Sequence, residues 1–420
     1  MDVRDSARDR DRAMTAAAAP RRRPLTALTS LATLLAVVLA GLLCVAGPAA
    51  ADTRPTLAPD ESLSVASQAA GWLAGSIVGS DGAVHDPSGK SDPVTTAWAA
   101  LAMRATGLEP ESTRPAGWLE QHPDALARDS GRDSPAGLAM LILTARAENR
   151  PAEAFGGQDL VARLLATRGP DGLFGPVTIL PNSDPVGGVA SRQGLVLSAL
   201  GSAGRTDAGA ADWLEQRQCP DGGWQFRRVD PTSSCSATPD VTGYAMMGLA
   251  AVGREVPRRA IRALERMQQP DGGFGLNGTV SDSLGTALAL QGLIAAGQDP
   301  NTQQWRKGTG ADSATPFDVL LRFATDTSGG FSLQPNGPPD PSLTSRVIPA
   351  AAGQPLPLAA PDPLGADSSG QDPTSSGTTT TSATSTSSDS FSAISLLGAG
   401  AVALAVIGVV YGVRRRRQAI

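Results

Sequence analysis

The sequence predicts an all-α chain in which six helix pairs close into a ring, an α6/α6 toroid, followed by a stalk and a transmembrane helix. Three observations support this prediction. The phrase "QCPDGGWQF" at 218–226 recurs along the chain, each copy lies between an amphipathic and an almost wholly apolar stretch, and a Ser/Thr-rich run precedes an uncharged apolar segment near the C-terminus. The repeat predicts the ring, and the last observation predicts the anchor.

The repeat is marked by Asp-Gly turns at Asp81, Asp171, Asp221 and Asp271, with a degenerate version, "TSGGF", at 327–331. Successive copies are about 50 residues apart, and the double gap before Asp171 is expected to hide a degenerate copy near "ARDSGRD". Six units of roughly 45 to 55 residues result, a period typical of stacked helical pairs.

Each unit combines two kinds of helix. Apolar residues at helical spacing precede the turn, as in "RRAIRALERMQ", whereas the stretch that follows is apolar nearly throughout, as in "SLGTALALQGLIAAG". An amphipathic helix belongs on an outer ring and an apolar one on an inner ring. Closing the ring also removes the exposed ends that an open solenoid must cap with polar repeats.

The inner helices share polar start signals. Asp92, Ser134 and Asp184 each precede a proline, and Asp240, Asp282 and Asp340 occupy comparable places in the other three units. A side-chain oxygen followed by proline is a favoured helix start. The ring would place these carboxylates on one rim, where they either only cap helices or also bind a polar ligand or act as acid and base.

Two copies of the turn carry a family signature, in Gln218-x-x-x-Gly222-x-Trp224 and Gln268-x-x-x-Gly272-x-Phe274. Over about 60–355 the chain thereby resembles the terpenoid cyclase and protein prenyltransferase superfamily, which implies an α/α toroid with a central cavity. We expect each glutamine to bond backbone groups at a helix end and each aromatic ring to pack against the next unit's outer helix.

The chemistry of the resembling enzymes has no counterpart in the motifs of this chain. No two aspartates are adjacent, so neither the D-x-D-D acid of squalene-type cyclases nor the D-D-x-x-D metal motif of ionising synthases exists. The Cys-x-Glu-Gln motif of thioester toroids is also missing. The histidines, His85 and His122, stand in turn-like contexts and are expected to be surface residues rather than zinc ligands. We therefore identify no catalytic residue, no metal site and no cofactor.

Polar and aromatic residues of the inner helices are the candidate ligand-binding set. Arg192 and Gln193 are unusual because they interrupt an apolar helix, and a buried charge must be paired or face a cavity. Arg192 is expected either to pair with a rim aspartate or to meet an anionic group of a ligand. The set comprises Asp92, Trp98, Asp184, Arg192, Gln193, Asp240, Tyr244 and Asp282.

Cys219 and Cys235 flank one loop and are expected to form a disulfide, since an even pair in an exported chain is most simply bridged. Free thiols or a metal site are the alternatives.

The chain ends predict a single-pass surface protein. Residues 1–51 resemble a secretory signal peptide, with translation starting at Met1 or Met14. The toroid is expected over 52–362, a disordered Ser/Thr-rich stalk over 363–390, a transmembrane helix over 391–413 and a cytoplasmic basic tail over 414–420. With a net charge of −5 and its basic runs beside apolar segments, the chain is not expected to bind nucleic acid.

We therefore expect a membrane-anchored extracellular toroid that binds an unidentified small molecule. Its helical domain is similar to those of transcobalamin and intrinsic factor, which capture cobalamin. Those binders close over the ligand with a second domain, whereas here the stalk follows directly, so a partner such as a membrane transporter is expected to supply the lid. The alternatives are a divergent cyclase or prenyltransferase-like enzyme and a structural docking scaffold.

Overall fold

The computed structural model describes residues 57–176, 188–226, 235–276, 278–325 and 329–358. All of them fall in one compact unit. The expected signal peptide, stalk, transmembrane helix and basic tail lie outside the described residues, as does Asp184. Within the described ranges, no helix has both the length and the apolar character that crossing a membrane requires.

Within the ranges that the structure describes, six helix pairs alternate, as the repeat predicts. The outer helices are α1 (Asp60–Trp72), α3 (Glu109–Gln121), α6 (Leu160–Ala166), α8 (Ala208–Gln216), α10 (Arg258–Met267) and α12 (Pro316–Leu321). The inner helices are α2 (Pro93–Ala105), α5 (Pro135–Ala147), α7 (Val189–Ser202), α9 (Pro239–Ala251), α11 (Ser283–Ala295) and α13 (Pro341–Ala351).

Short elements connect these pairs. A π-helical turn, Leu73–Ile77, extends α1, and 3-10 turns occupy Phe155–Gly157, Gln303–Trp305 and Gly310–Asp312. In the second unit, α4 (Asp124–Ala127) leads into a hairpin of β1 (Arg128–Asp129) and β2 (Arg132–Asp133), paired antiparallel. This hairpin stands where the sequence predicts a degenerate turn.

The inner helices form a closed ring. Each contacts its two neighbours in chain order, and α13 packs against α2 to complete the circle. Burial differs between inner and outer helices as predicted. Nearly every residue of the inner helices α5, α7 and α11 is buried, whereas the outer helix α10 buries only Ala260, Ala263 and Leu264. The α6/α6 toroid is confirmed.

The Asp-Gly turn repeats with almost invariant geometry. The φ of Gly82, Gly172, Gly222 and Gly272 is 94°, 93°, 94° and 94°, a left-handed conformation that glycine adopts without steric cost. In each copy the aspartate Oδ1 accepts a hydrogen bond from the amide two residues on, at 3.0 to 3.2 Å. The aspartate therefore closes its own turn, as the sequence predicts.

The same glycines join neighbouring units. A Cβ atom added at Gly222 would lie 2.3 Å from the carbonyl oxygen of Arg259, in the first turn of the next outer helix, and one added at Gly272 would lie 2.5 Å from Ala314 O. Gly82 and Gly172 approach Arg114 O and Gly209 O in the same way. Each turn is thus seated directly on backbone of the following unit.

The signature glutamines and aromatics also act within the repeat. Gln268 Nε2 donates to the carbonyls of Gly272 and Trp305, at 2.8 and 2.7 Å, and Gln218 Nε2 donates to Gly222 O. The Nε1 of Trp224 donates to Leu214 O, 2.8 Å away in the outer helix of its own unit.

Three inner helices approach each other at backbone contact. Cβ atoms added at Gly194 and Gly201 of α7 would lie 2.3 Å from the carbonyl oxygens of Tyr244 and Ala251, so α7 and α9 run parallel. On the other side of α9, a Cβ at Gly243 would lie 2.1 Å from Leu288 O of α11. Only glycine permits such a close approach, which draws α7, α9 and α11 tightly together.

The predicted disulfide between Cys219 and Cys235 is present and joins the fourth turn to the segment before α9.

We predict that Gly248→Ala destabilises the protein by about 1 to 3 kcal/mol through overpacking. The new Cβ on α9 would lie 2.4 Å from Gly194 O and 2.7 Å from Gly194 Cα, which are backbone atoms of α7. Urea denaturation measures the change as a lower midpoint with an unchanged slope.

Gly117→Ala is the matched control. Gly117 lies inside α3, and a Cβ there meets nothing within 4 Å. This substitution should raise stability by up to about 1 kcal/mol, because alanine is the better helix former. Equal midpoints for the two variants would contradict the backbone contact between α7 and α9.

Candidate functional site at the ring axis

The inner helices carry one residue each that faces the turn of their own unit. The side-chain oxygens of Thr96, Gln193, Thr242, Thr286 and Thr344 accept hydrogen bonds from the backbone amides of Val84, Phe174, Trp224, Phe274 and Phe331, at 2.8 to 3.1 Å. In the second unit Gly137 takes this place, and a Cβ there would lie 1.9 Å from Leu126 O. These bonds fix the rotation of each inner helix about its own axis.

Residues two before, two after and five after this position lie on the opposite face, about 140° to 160° around the helix at 100° per residue. They therefore face the ring axis in three layers. The mouth layer is Val94, Pro135, Ser191, Asp240, Leu284 and Ser342. The middle layer is Trp98, Ala139, Leu195, Tyr244, Leu288 and Arg346. The floor layer is Leu101, Ile142, Ser198, Met247, Gln291 and Pro349.

Exposure falls with depth along the axis. In the mouth layer, Val94, Asp240, Leu284 and Ser342 are half-buried, and Arg346 in the middle layer also retains solvent contact. The floor layer is buried throughout. The axis is therefore polar and accessible at the N-terminal ends of the inner helices and packed one to two turns deeper.

Asp240 differs from the other rim carboxylates. Asp92, Asp282 and Asp340 cap α2, α11 and α13, each through an Oδ1 that accepts from the amide three residues on. In the fourth unit the residue before the helix is Thr238, and Asp240 lies inside the first turn of α9. Sequence reasoning grouped Asp240 with the caps, but the start of α9 at Pro239 moves its carboxylate to the axis.

Asp240 and Asp282 form an interacting carboxylate pair. Burial raises the pKa of Asp240 above its ordinary value. Burial also raises the pKa of Asp282, against hydrogen bonds donated by the amides of Gly285 and Leu276, and the nearby charge of Asp240 raises it further. Both groups hold their protons more readily than exposed aspartates do.

Four axis-facing side chains have polar atoms without hydrogen-bond partners among the described residues, and one of them is the Oγ of Ser191 in the mouth layer. Trp98 is fully buried and its Nε1 has none; Gln291 is fully buried and neither amide atom has one; the buried Nε of Arg346 also has none. The Arg346 guanidinium carbon lies 5.9 Å from the centre of the Trp98 ring, across the contact of α13 with α2. A buried polar group without a partner is costly, so these atoms mark the polar centre of the ring.

Arg192 and Gln193 have structural roles. The Nε atom of Arg192 donates to Phe174 O at 3.0 Å, and the guanidinium also donates to Pro176 O. The amide of Gln193 donates to the carbonyls of Gly172 and Ala210 and accepts from Phe174. These two residues hold the third turn rather than lining the axis.

The remaining candidates are placed as follows. Trp98 and Tyr244 both lie in the middle layer and are almost fully buried. Asp92 uses one carboxylate oxygen as the cap and accepts from the Thr95 hydroxyl with the other, at 2.5 Å. His85 and His122 are exposed, and His122 stacks on Trp118.

Comparison with solved structures places this arrangement among known folds. A type II terpene cyclase from Scytonema, MstE without ligand, matches with a TM-score of 0.51 at 15% identity, over 71% of this chain and 98% of the cyclase. The fold is a terpene cyclase-like α/α toroid. A likeness at this identity shows the fold alone.

Two further structures match this toroid with lower scores. A protein from Actinoplanes is 18% identical over 70% of this chain and 99% of its own, with a TM-score of 0.49. Protein geranylgeranyltransferase-I from Candida albicans, complexed with GGPP, is 12% identical over 60% and 82%, with a TM-score of 0.42. No protein-family profile and no curated protein matches the chain.

Sequence reasoning missed Arg346 and Gln291 at the axis of the toroid. Gln291 interrupts an otherwise apolar inner stretch, the same signal that selected Arg192 and Gln193, whereas Arg346 follows Ser342, Thr344 and Ser345 and stands out only by its charge. Arg346 and Gln291 lie on the face opposite the turn-facing hydroxyls of Thr344 and Thr286, and this position makes them axial, unlike Arg192 and Gln193. Such a hydroxyl becomes recognisable only when its bond to the turn is known.

We predict that Asp240→Asn stabilises the toroid at neutral pH. A carboxyl with a raised folded pKa contributes stability that is fully present below the unfolded pKa, about 3.9, and is lost as pH rises through the folded pKa. Asparagine keeps a hydrogen-bond acceptor and does not titrate. The free energies of unfolding of the two proteins, measured by urea denaturation, should coincide near pH 3.5 and diverge towards pH 7.5, by about 1.4 kcal/mol for each unit by which the folded pKa exceeds the unfolded pKa.

Asp133→Asn supplies the opposite slope. The hydrogen bond from Arg163 lowers the pKa of Asp133, so its stabilisation is present above the unfolded pKa and is lost as pH falls through the folded pKa. This variant should have a lower free energy of unfolding than the parent protein at pH 7.5, and the difference should shrink in acid. An Asp240→Asn variant that is weaker at every pH would refute the cost assigned to the buried charge.

Proposed function

We propose that this protein captures a small polar ligand at the mouth of the ring and does not perform the chemistry of the cyclases it resembles. The observation that carries the proposal is the set of buried, unpartnered polar atoms on Trp98, Gln291 and Arg346, which converge on the axis below a half-buried mouth layer. A ligand that supplied their partners would recover the free energy that their burial costs.

The floor of the axis favours binding over cyclisation. Cyclisation of a long isoprenoid needs a deep apolar cavity with aromatic faces that stabilise cations. Here the floor layer is closed by buried side chains, and only Trp98 and Tyr244 among the axial residues are aromatic. A shallow polar mouth suits a compact ligand or one end of a larger one, such as a cobalamin or an oligosaccharide.

The proposed location is the cell surface. It rests on the apolar, uncharged stretch 391–413 followed by four arginines, and on the signal-peptide pattern of 1–51. A transporter in the same membrane would receive the ligand. Carbonate extraction of membranes and protease digestion of intact cells test this part: retention in the membrane with loss of the toroid to protease is expected, and a soluble chain would contradict it.

An enzyme is the second candidate, and Asp240 is the observation that favours it. Its carboxyl faces the axis, burial raises its pKa, and its charge is near enough to raise the pKa of Asp282. A carboxylic acid that keeps its proton can act as a general acid. The reaction would be an acid-initiated isomerisation or cyclisation of an alkene.

A single ligand panel separates the two candidates. Cobalamins, oligosaccharides, squalene and isoprenoid diphosphates are added to the purified protein, and the thermal midpoint and any chemical conversion are measured. A ligand at 100 times its Kd should add about 2.7 kcal/mol. Capture predicts stabilisation without conversion, lost in Gln291→Leu and reduced in Trp98→Phe, which deletes the N–H and replaces the indole with a smaller aromatic ring.

The enzyme predicts conversion that Asp240→Asn abolishes while binding persists. Stabilisation that survives in Gln291→Leu, Trp98→Phe and Asp240→Asn alike would place the ligand away from the axis and overturn both candidates.

A further inference from the structure

We propose that the ligand carries an anionic group, a carboxylate or phosphate, which Arg346 binds beside Trp98 and above Gln291. This inference rests on the proposed capture of a ligand at the ring axis and specifies the chemistry that the site selects. Nothing in the repeat requires an arginine at this position, because the five equivalent middle-layer residues are aromatic, leucine or alanine.

Arg346 lacks the partners that other arginines of the toroid have. Arg163 pairs with Asp124 and Asp133, Arg168 pairs with Asp207, and Arg254 pairs with Asp212. Throughout the described ranges, the side chain of Arg346 makes no ion pair and no hydrogen bond, and its Nε is buried. Its guanidinium carbon lies 5.9 Å from the centre of the Trp98 ring. A cation in this setting is stabilised by an anion that reaches it from the mouth.

Trp98 and Gln291 complete the donor set. The Trp98 Nε1–H is fully buried and can only donate, so it is suited to an acceptor oxygen. Gln291 lies on α11, which contacts α13, and its floor-layer position is about one helical turn deeper than that of Arg346. Its free amide can both donate and accept, which suits it to a polar atom beyond the anionic group.

The carboxylates of the site set the orientation of the ligand. Asp240 lies on α9, separated from α13 around the ring by α11, and Asp282 caps α11. An anion is repelled by ionised Asp240 and attracted by Arg346, so the anionic group enters on the α13–α2 side of the axis. A ligand bearing an anion at one end and hydroxyl or amide groups at the other would satisfy both sides.

The test compares matched anionic and neutral probes on the full-length protein in detergent. The probes are inorganic phosphate, benzoate with benzamide, and hexanoate with hexanamide, titrated by thermal shift and isothermal calorimetry at low ionic strength. We expect at least one anion to bind at least tenfold more tightly than its neutral counterpart. Arg346→Gln, which keeps a hydrogen-bonding side chain and deletes the charge, should lower that affinity at least tenfold.

Arg322→Gln is the matched control, because Arg322 is an exposed arginine that immediately follows the outer helix α12. The Arg322→Gln variant should bind the anion as tightly as the parent protein does. A neutral amide added as competitor should also leave anion binding unchanged. Trp98→Phe should weaken anion binding; because it also shortens a fully buried ring system, its far-ultraviolet circular dichroism and urea midpoint must show that the toroid still folds.

Three outcomes would overturn the inference: anion affinity retained in Arg346→Gln, neutral amides binding as tightly as the acids, or no anion-dependent stabilisation at any probe concentration compatible with low ionic strength. These failures are distinguishable from failure of ligand capture itself. A neutral ligand that stabilises the protein and loses its effect in Gln291→Leu would preserve capture while removing the anionic group.

Discussion

The architecture depends on the contact between each Asp-Gly turn and the next outer helix. The glycine of the turn sits in a left-handed conformation with its Cα against a carbonyl oxygen of the following unit, so no side chain can be inserted there. The aspartate fixes the turn from within, and the amide two residues beyond the glycine donates to a hydroxyl or amide oxygen of the inner helix. The Asp-Gly turn thereby sets the spacing of neighbouring units, the reversal of chain direction between the two helices of a unit, and the rotation of the inner helix about its own axis.

That rotation connects the fold to the candidate site. Because Thr96, Gln193, Thr242, Thr286 and Thr344 all face outwards to their turns, the residues opposite them must face the axis. The polar centre of the ring is thus positioned by bonds about 10 Å away, across the diameter of the helices. Asp240, Trp98, Gln291 and Arg346 reach the axis for the same reason, although they belong to different units and have no sequence motif in common.

The periodic features could be predicted from the sequence, and the site could be predicted only in part. Spacing of Asp-Gly turns and the contrast between amphipathic and apolar stretches predict six pairs because both report directly on helix burial. Asp92 and Asp282 were correctly predicted as caps, since a cap is a local interaction. Asp240 was not distinguished from them, because the difference is a shift of two residues in where α9 begins. Arg346 and Gln291 were missed because their surroundings come from other units.

The glycine contacts among α7, α9 and α11 give the ring two unlike halves. On that side the helices already touch at their main chains, so they cannot move closer together. On the opposite arc, α2, α13 and α5 contribute to the middle layer a large indole, a long guanidinium and a small methyl at Ala139. A change in the width of the ring must therefore come from that arc, while α7, α9 and α11 keep their mutual spacing.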